Sequence, residues 1–156
     1  MNEAAQAWAG PAVPLKSADE LLDHHAVCQL AKIYGLGLDL RDYKLARSAF
    51  AADAVAIGRD GPEPIDQSLP KTYTVAESFH ATQHLIANQY VKLDGDQAEV
   101  WSYGIAHHKV APGETREEVI AGVQYRDRCR RDGAGWLIVE RQVVLQWLDQ
   151  APPRGR

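Results

Sequence analysis

Cysteine is scarce in this chain: Cys28 and Cys129 stand alone among 156 residues. Two cysteines make no disulfide framework, and neither belongs to a C-x-x-C pair. Both are therefore expected as buried or free thiols in a reducing compartment. Long apolar runs are missing too. None approaches the roughly 20 residues that a membrane helix needs, and the opening MNEAAQAWAGPAVPLK lacks a basic start followed by an apolar core. Neither a membrane span nor a signal peptide is expected, and the chain reads as soluble and cytoplasmic. Positive charge is not in excess, since 17 Lys and Arg face 21 Asp and Glu for a net charge of −4. That leaves no basic footprint for nucleic acid. Arg126, Arg128, Arg130 and Arg131 do cluster, but Asp127 and Asp132 interrupt them, and they read as the exposed end of a hairpin. No G-x-G-x-x-G or phosphate loop occurs, so no nucleotide cofactor is expected. His80 and His84 are four apart, yet H-A-T-Q-H lacks the Glu of H-E-x-x-H, and His107 and His108 point to opposite faces of a strand. No metal site is expected.

What is present is an ordinary globular composition, 46% apolar and 24% charged. A chain of this length is expected to form one domain and to bury roughly 70% of its unfolded surface. Residues 1–16, rich in Ala and Pro, read as an arm, 17–147 as the domain, and 148–156 as a flexible tail. Ser17-Ala18-Asp19-Glu20 is a capping box. Apolar residues from Leu21 to Tyr34 then recur at helical spacing, which predicts a helix to about Leu38 with its last turn weakened by Gly35 and Gly37. Asp42 is placed to cap a short helix from Tyr43 to Phe50, and Ala54 to Gly58 reads as a strand. Arg59 to Lys71, with three prolines, reads as a loop over the pocket mouth or a space filler, and Thr74 as the cap of a third helix from Val75 to about Ala81. From His84 the period changes to two, predicting strands at about 83–93, 97–109, 116–130 and 135–147. Asp94-Gly95 and Asp132-Gly133 supply hairpin turns. Helices followed by an antiparallel meander make an α+β fold.

Four side chains carry candidate chemistry: Tyr34, Asp39, His84 and Arg141. A phenol, a carboxylate, an imidazole and a guanidinium together suit removal of a proton from carbon and stabilisation of the charge that results. Each also has a plainer role. Asp39 could cap a helix, His84 could be a satisfied structural histidine, and Tyr34 could be a core residue. Arg141, placed between Val139 and Val143 by alternation, could hold a structural ion pair, with Glu140 as its partner only if the alternation breaks. In the second long strand Trp101, Tyr103 and Ile105 share one face while Ser102, Gly104 and Ala106 share the other. The small face leaves room for a ligand, and the large face suits another subunit.

The order of elements resembles the cone-shaped α+β fold of the nuclear transport factor two superfamily, and within it the SnoaL-like branch. That branch includes scytalone dehydratase, hexachlorocyclohexane dehydrochlorinase and bile-acid 7α-dehydratase. The marks are Tyr34 with Asp39 five residues on, Phe50-Ala51-Ala52-Asp53-Ala54-Val55, Thr82-Gln83-His84-Leu85-Ile86-Ala87-Asn88, Asp94-Gly95-Asp96-Gln97-Ala98, and Tyr125-x-Asp127 followed by Arg131-Asp132-Gly133-Ala134-Gly135-Trp136. The resemblance implies a sheet curved around the first helix, with N-terminal helices packed inside. It implies that Asp39 orients His84 as a base and that Tyr34 is the polar residue preceding the Asp. It also implies that Arg141 is the Arg found five residues after the hairpin Trp, and that His108, or in another register His107, is a second active-site histidine. The expected activity is a cofactor-independent lyase (dehydratase-like) or isomerase on a small hydrophobic cyclic, polyketide-like or steroid-like molecule. A non-catalytic ligand-binding or assembly module is the alternative. A homo-oligomer, dimer or trimer, is expected.

Overall fold

Ser17 opens the first helix. Its hydroxyl accepts from the Glu20 backbone N–H at 3.1 Å. The Glu20 carboxylate turns back to the N–H of Lys16 at 2.6 Å, one residue before the position of an ideal capping box. The computed structural model describes residues 16–58, 61–133 and 135–152, so the expected arm before Lys16 and the end of the tail lie outside the described residues. Helix α1 runs Ala18–Asp39 and buries Val27, Leu30, Ala31, Tyr34 and Leu38. It closes in a Schellman turn, with Asp42 N–H on Gly37 O at 2.8 Å and Arg41 N–H on Leu38 O at 3.3 Å. The Asp42 side chain then accepts from Leu45 N–H at 3.0 Å and starts α2, Tyr43–Ser48.

Gly35 and Gly37 do not loosen the end of α1. Both are buried, and each marks a place where the helix backbone meets a neighbour. A Cβ on Gly35 would stand 3.0 Å from His84 Cβ, and one on Gly37 would stand 2.3 Å from the backbone N of Ala46. The missing side chains let α1 lie against the third strand and against α2.

From Gly61 on, the segment expected to be a loop forms a strand and a helix. Strand β1 spans Phe50–Gly58, longer than expected. Strand β2, Gly61–Pro64, pairs with it at the sheet edge, where prolines cost no ladder bond. Helix α3, Ile65–Glu77, contains Pro70 and buries Ile65, Leu69 and Ala76. Thr74 is inside this helix and donates to the Pro70 carbonyl at 2.9 Å, so it is not a cap. An apolar stripe spaced four and seven outweighs the single backbone bond that Pro70 removes.

Strands β3 (Ala81–Asp94), β4 (Gln97–Lys109), β5 (Glu118–Asp132) and β6 (Gly135–Ala151) follow. The sheet order is β2-β1-β6-β5-β4-β3. Among the described residues only β1 and β6 pair in parallel, so the sheet is mixed, its antiparallel meander β3 to β6 joined by one parallel neighbour, and it is not closed. Gly95 and Gly133 turn the β3–β4 and β5–β6 hairpins at φ of 58° each. Strand β6 continues to Ala151, past the residue 147 where the domain was expected to end. Register shifts at Ile86/Gln89, Gly122/Val123 and Arg128/Cys129 bend the sheet.

The alternation in β4 sets the two faces as expected. Ser102, Gly104 and Ala106 are buried on the face that meets α1. Tyr103 and Ile105 are exposed on the other, together with Leu85, Tyr90 and Trp147. The arginines of β5 are not a free hairpin end. Arg126 stacks on Trp101, with its guanidinium carbon 4.6 Å from the ring centroid. Arg128 lies 3.7 Å from Glu140, Arg130 pairs with Asp53, and Arg131 pairs with Asp23 and Asp96. Cys28 and Cys129 are both buried and free. No helix among the described residues is long and apolar enough to cross a membrane.

Candidate active site

Asp39 is the last residue of α1, and the close approach at Gly35 brings its carboxylate to the start of β3. One oxygen, Oδ1, meets His84 Nδ1 at 2.6 Å and accepts from the Thr82 hydroxyl at 2.9 Å. The other, Oδ2, accepts from the His84 backbone N–H at 2.8 Å. Three donors converge on one carboxylate. An acceptor against Nδ1 puts the imidazole proton there and leaves Nε2 with its lone pair. The side chains of His84 and Asp39 are 6% and 21% exposed, so the pair is shielded from bulk water.

His108, not His107, shares this face. Its ring lies 5.9 Å from that of His84, edge to face, and 4.9 Å from that of Phe79. His107 points outward, 4.0 Å from Glu118. Burial, together with the neighbouring His84, holds His108 below the usual imidazole range, so it is neutral at pH 7. Its Nδ1 is buried without a hydrogen-bond partner.

Arg141 points inward as expected, but its neighbours differ. The shift in register at Arg128/Cys129 puts Ile138, not Val139, on its face, and its partner is Asp127 directly across on β5. Glu140, the candidate partner in the sequence, faces out. The ion pair is bidentate, Nε and Nη2 each 2.7 Å from a carboxylate oxygen. The two side chains are 3% and 2% exposed. The rings of Tyr34, Tyr125 and Phe50 surround the guanidinium carbon, with centroids at 4.5, 4.8 and 5.0 Å. Burial works against the charge on Arg141, and Asp127 outweighs it, so the guanidinium is held above its ordinary range. Nη1 remains buried without a partner. Burial raises the Tyr34 phenol, as does Asp127, while Arg141 opposes them. Tyr34 is thus a neutral donor at any physiological pH.

The five expected residues therefore form two groups on one inner surface. Asp39, His84 and His108 are one, and Tyr34 and Arg141 are the other. Tyr125 belongs with the second: its ring lies 5.8 Å from that of Tyr34 and beneath the Arg141 guanidinium, and burial holds its phenol well above its ordinary range. Sequence reasoning assigned no role to Asp127, Tyr125, Thr82 or Arg41. Thr82 carried a signal, since it lies two residues before His84 on the same strand face. A cavity of about 460 Å³ lies elsewhere, lined by Lys92, Glu99, Arg128 and Arg130 among others. These residues pair across the outer face of the sheet.

Two consequences are measurable. Asp127→Asn leaves the Arg141 charge buried and uncompensated, and should cost about 3–5 kcal/mol in urea denaturation. A loss under about 1 kcal/mol would mean that the pair is hydrated. His108 binds its proton less readily folded than unfolded, so the folded state gains fewer protons as pH falls. Stability is then full above the ordinary value of 6.5 and declines as pH drops below it. The decline between about pH 7 and about pH 5.5 should be smaller in His108→Leu, and equal declines would show that His108 does not contribute.

The sequence of residues 19–142 matches the family described as SnoaL-like domain. No curated protein matches. Solved structures do. A scytalone dehydratase candidate from Novosphingobium aromaticivorans superposes with a TM-score of 0.72 at 20% identity, over 87% of this chain and 95% of that one. Hexachlorocyclohexane dehydrochlorinase LinA-type3 from Novosphingobium barchaimii superposes with a TM-score of 0.73 at 15% identity, over 88% and 96%. A candidate aromatic ring hydroxylase from Novosphingobium aromaticivorans gives 0.71 at 22% identity, over 84% and 94%. At these identities the likeness is one of fold. The family match spans most of the chain, the mixed sheet and inner helix are those of the cone-like nuclear transport factor two fold, and the chain belongs to the SnoaL-like domain family.

Proposed function

We propose that the protein is a cofactor-independent lyase of dehydratase type, or an isomerase, that begins by removing a proton from a carbon acid. The Asp39–His84 contact carries this reading. With Nδ1 held by Asp39, Nε2 of His84 takes the proton, and the Asp39 carboxylate stabilises the imidazolium. Such general base catalysis is worth roughly 10²–10⁴-fold. The Tyr34 phenol donates to the carbonyl or leaving hydroxyl of the substrate. The Arg141 guanidinium stabilises the negative charge that develops. His108, neutral and with a free nitrogen, assists the leaving group. The unpartnered Nδ1 of His108 and Nη1 of Arg141 support the binding of a polar ligand, since buried polar atoms are rarely left unmatched.

The substrate proposed is small and hydrophobic, cyclic or of polyketide or steroid type. Beyond the last pairing of β1 with β6, at Ile57 and Gln142, the inner face of β6 carries Val143, Leu145 and Leu148. All three are exposed. They would line an apolar entrance. The scytalone dehydratase and dehydrochlorinase names among structures of this fold agree with elimination chemistry. The alternative, a binding or assembly module without chemistry, is favoured by one observation, the 6% exposure of the His84 side chain. The outer-face residues Leu85, Tyr90, Tyr103, Ile105 and Trp147, each more than 40% exposed, are proposed to meet another copy of the chain in a dimer or trimer.

Hydrogen exchange separates catalysis from binding. Cyclic hydroxyketones incubated with the protein in heavy water should take up deuterium at the carbon next to the carbonyl, or lose water. His84→Gln should reduce either signal by at least about 10²-fold while keeping the melting temperature. A ligand that binds without exchange or elimination would leave the module reading in its place. Light scattering at micromolar concentration should give a mass above one chain, and a monomer would overturn the assembly.

A further inference from the structure

Arg41 is the residue among those described that combines a side chain with a positive φ, at 59°. It occupies the position after the helix cap where a Schellman turn ordinarily takes Gly, because a side chain there costs roughly 1–2 kcal/mol. The guanidinium this places makes three hydrogen bonds. Nη1 donates to Leu38 O at 2.6 Å and to Thr82 Oγ at 2.7 Å, and Nη2 donates to Phe79 O at 3.1 Å. The Tyr73 hydroxyl donates to the Arg41 carbonyl and fixes the backbone from the other side. Arg41 thus ties the end of α1 to the approach of β3, and it does so through the hydroxyl that touches Asp39.

A threonine hydroxyl has one proton and a free rotor. Arg41 takes an acceptor site of Thr82, so the proton is left to point at Asp39 Oδ1, 2.9 Å away. Oδ1 then receives Thr82 and His84 Nδ1, and Oδ2 receives the His84 backbone. The carboxylate has no second orientation that keeps all three. Arg41 donates to Thr82 and Thr82 to Asp39, while His84 donates to the same carboxylate from its other side, so the carboxylate is held between two sets of donors. We propose that Arg41 is a positioning residue for the Asp39–His84 pair, acting through Thr82 to hold the carboxylate and so the Nδ1–H tautomer of His84. This rests on the reading of His84 as a base, and the strained backbone at Arg41 is retained because Gly could not supply the guanidinium.

The test is ¹⁵N-histidine NMR on the whole chain, with His84→Gln identifying the signals. The wild type should show a single neutral tautomer with a far-downfield, slowly exchanging Nδ1 proton. In Thr82→Val, which keeps the shape of the side chain, and in Arg41→Gly, which suits the backbone angle, that proton should exchange too fast to see and both tautomers should appear. Arg41→Lys should restore part of it, through charge without the fork. If the signal persists unchanged in folded Thr82→Val, the proposal is overturned while the base reading stands. If Arg41→Gly fails to fold, Thr82→Val decides. If the wild type itself carries no Nδ1 proton, the base reading falls and the proposal falls with it. Deuterium uptake by a cyclic hydroxyketone gives the second readout. Its loss in Arg41→Gly with the tautomer intact would also count against the positioning role.

Discussion

The closeness of α1 to β3 is the constraint on which this molecule depends. Asp39 can bind the backbone and ring of His84 only because the helix backbone at Gly35 lies against the His84 side chain. The same closeness at Gly37 seats α2 against α1 and sets the turn that carries Arg41. Glycine in a helix costs roughly 1 kcal/mol relative to alanine. Here that cost is local, and the gain is a carboxylate delivered to a strand on another element. Helix and sheet are joined at this point by hydrogen bonds to a charged group, which are stronger than neutral ones. At the other end of α1, Asp23 accepts from Arg131 and from the Trp136 indole, and between these two points the helix and sheet are joined largely by apolar packing, which has no preferred direction.

The Asp127–Arg141 pair is the second fixed point, and its energetics differ. A buried ion pair is often no more stabilising than an apolar replacement, since both charges must leave water. Here the bidentate geometry and three aromatic faces offset much of that cost. They also fix the direction of the guanidinium plane. With Nε and Nη2 occupied by Asp127, the free Nη1 has one orientation. A lysine would give a charge without that plane.

Much of this fold was legible because the signals were periodic and uninterrupted. Strand β4 has both boundaries where alternation and the Asp94-Gly95 turn put them, and its two faces divide as read. Helix α1 was legible from Ser17 onward. Helix α3 was not, because the prolines that mark a loop here lie at a sheet edge and at one tolerated position, while the stripe of Ile65, Leu69 and Ala76 is sparse. In β6 the alternation that placed Arg141 inward was broken by a bulge, which has no simple sequence sign. Its partner, Asp127, is fourteen residues away across a hairpin register that only the structure supplies. The choice between His107 and His108 turned on the same parity, and β4, free of a bulge at that point, set His108 beside His84. Arg41 was hidden by a rule that usually serves well, since the residue after a helix cap is expected to be glycine and its side chain is seldom considered.

The two groups of polar residues make sense as a pair rather than as one cluster. A base and a permanent cation in contact would oppose each other, because the cation would disfavour the protonated base. Separation along the inner face, with Tyr34 and Tyr125 at the Arg141 end, avoids this for Arg141, while the Arg41 guanidinium reaches the base only through Thr82 and with the Asp39 carboxylate between them. Both phenols are held neutral by burial. On the proposed chemistry, a carbon acid spanning the gap would lose its proton toward His84 and build negative charge toward Arg141. The field along the substrate would already have that direction before any bond moved. Preorganisation of this kind contributes most where water is excluded, and the low exposure of His84 and Arg141 meets that condition. The shielding that makes the pair look like core is, on this argument, what would make it effective.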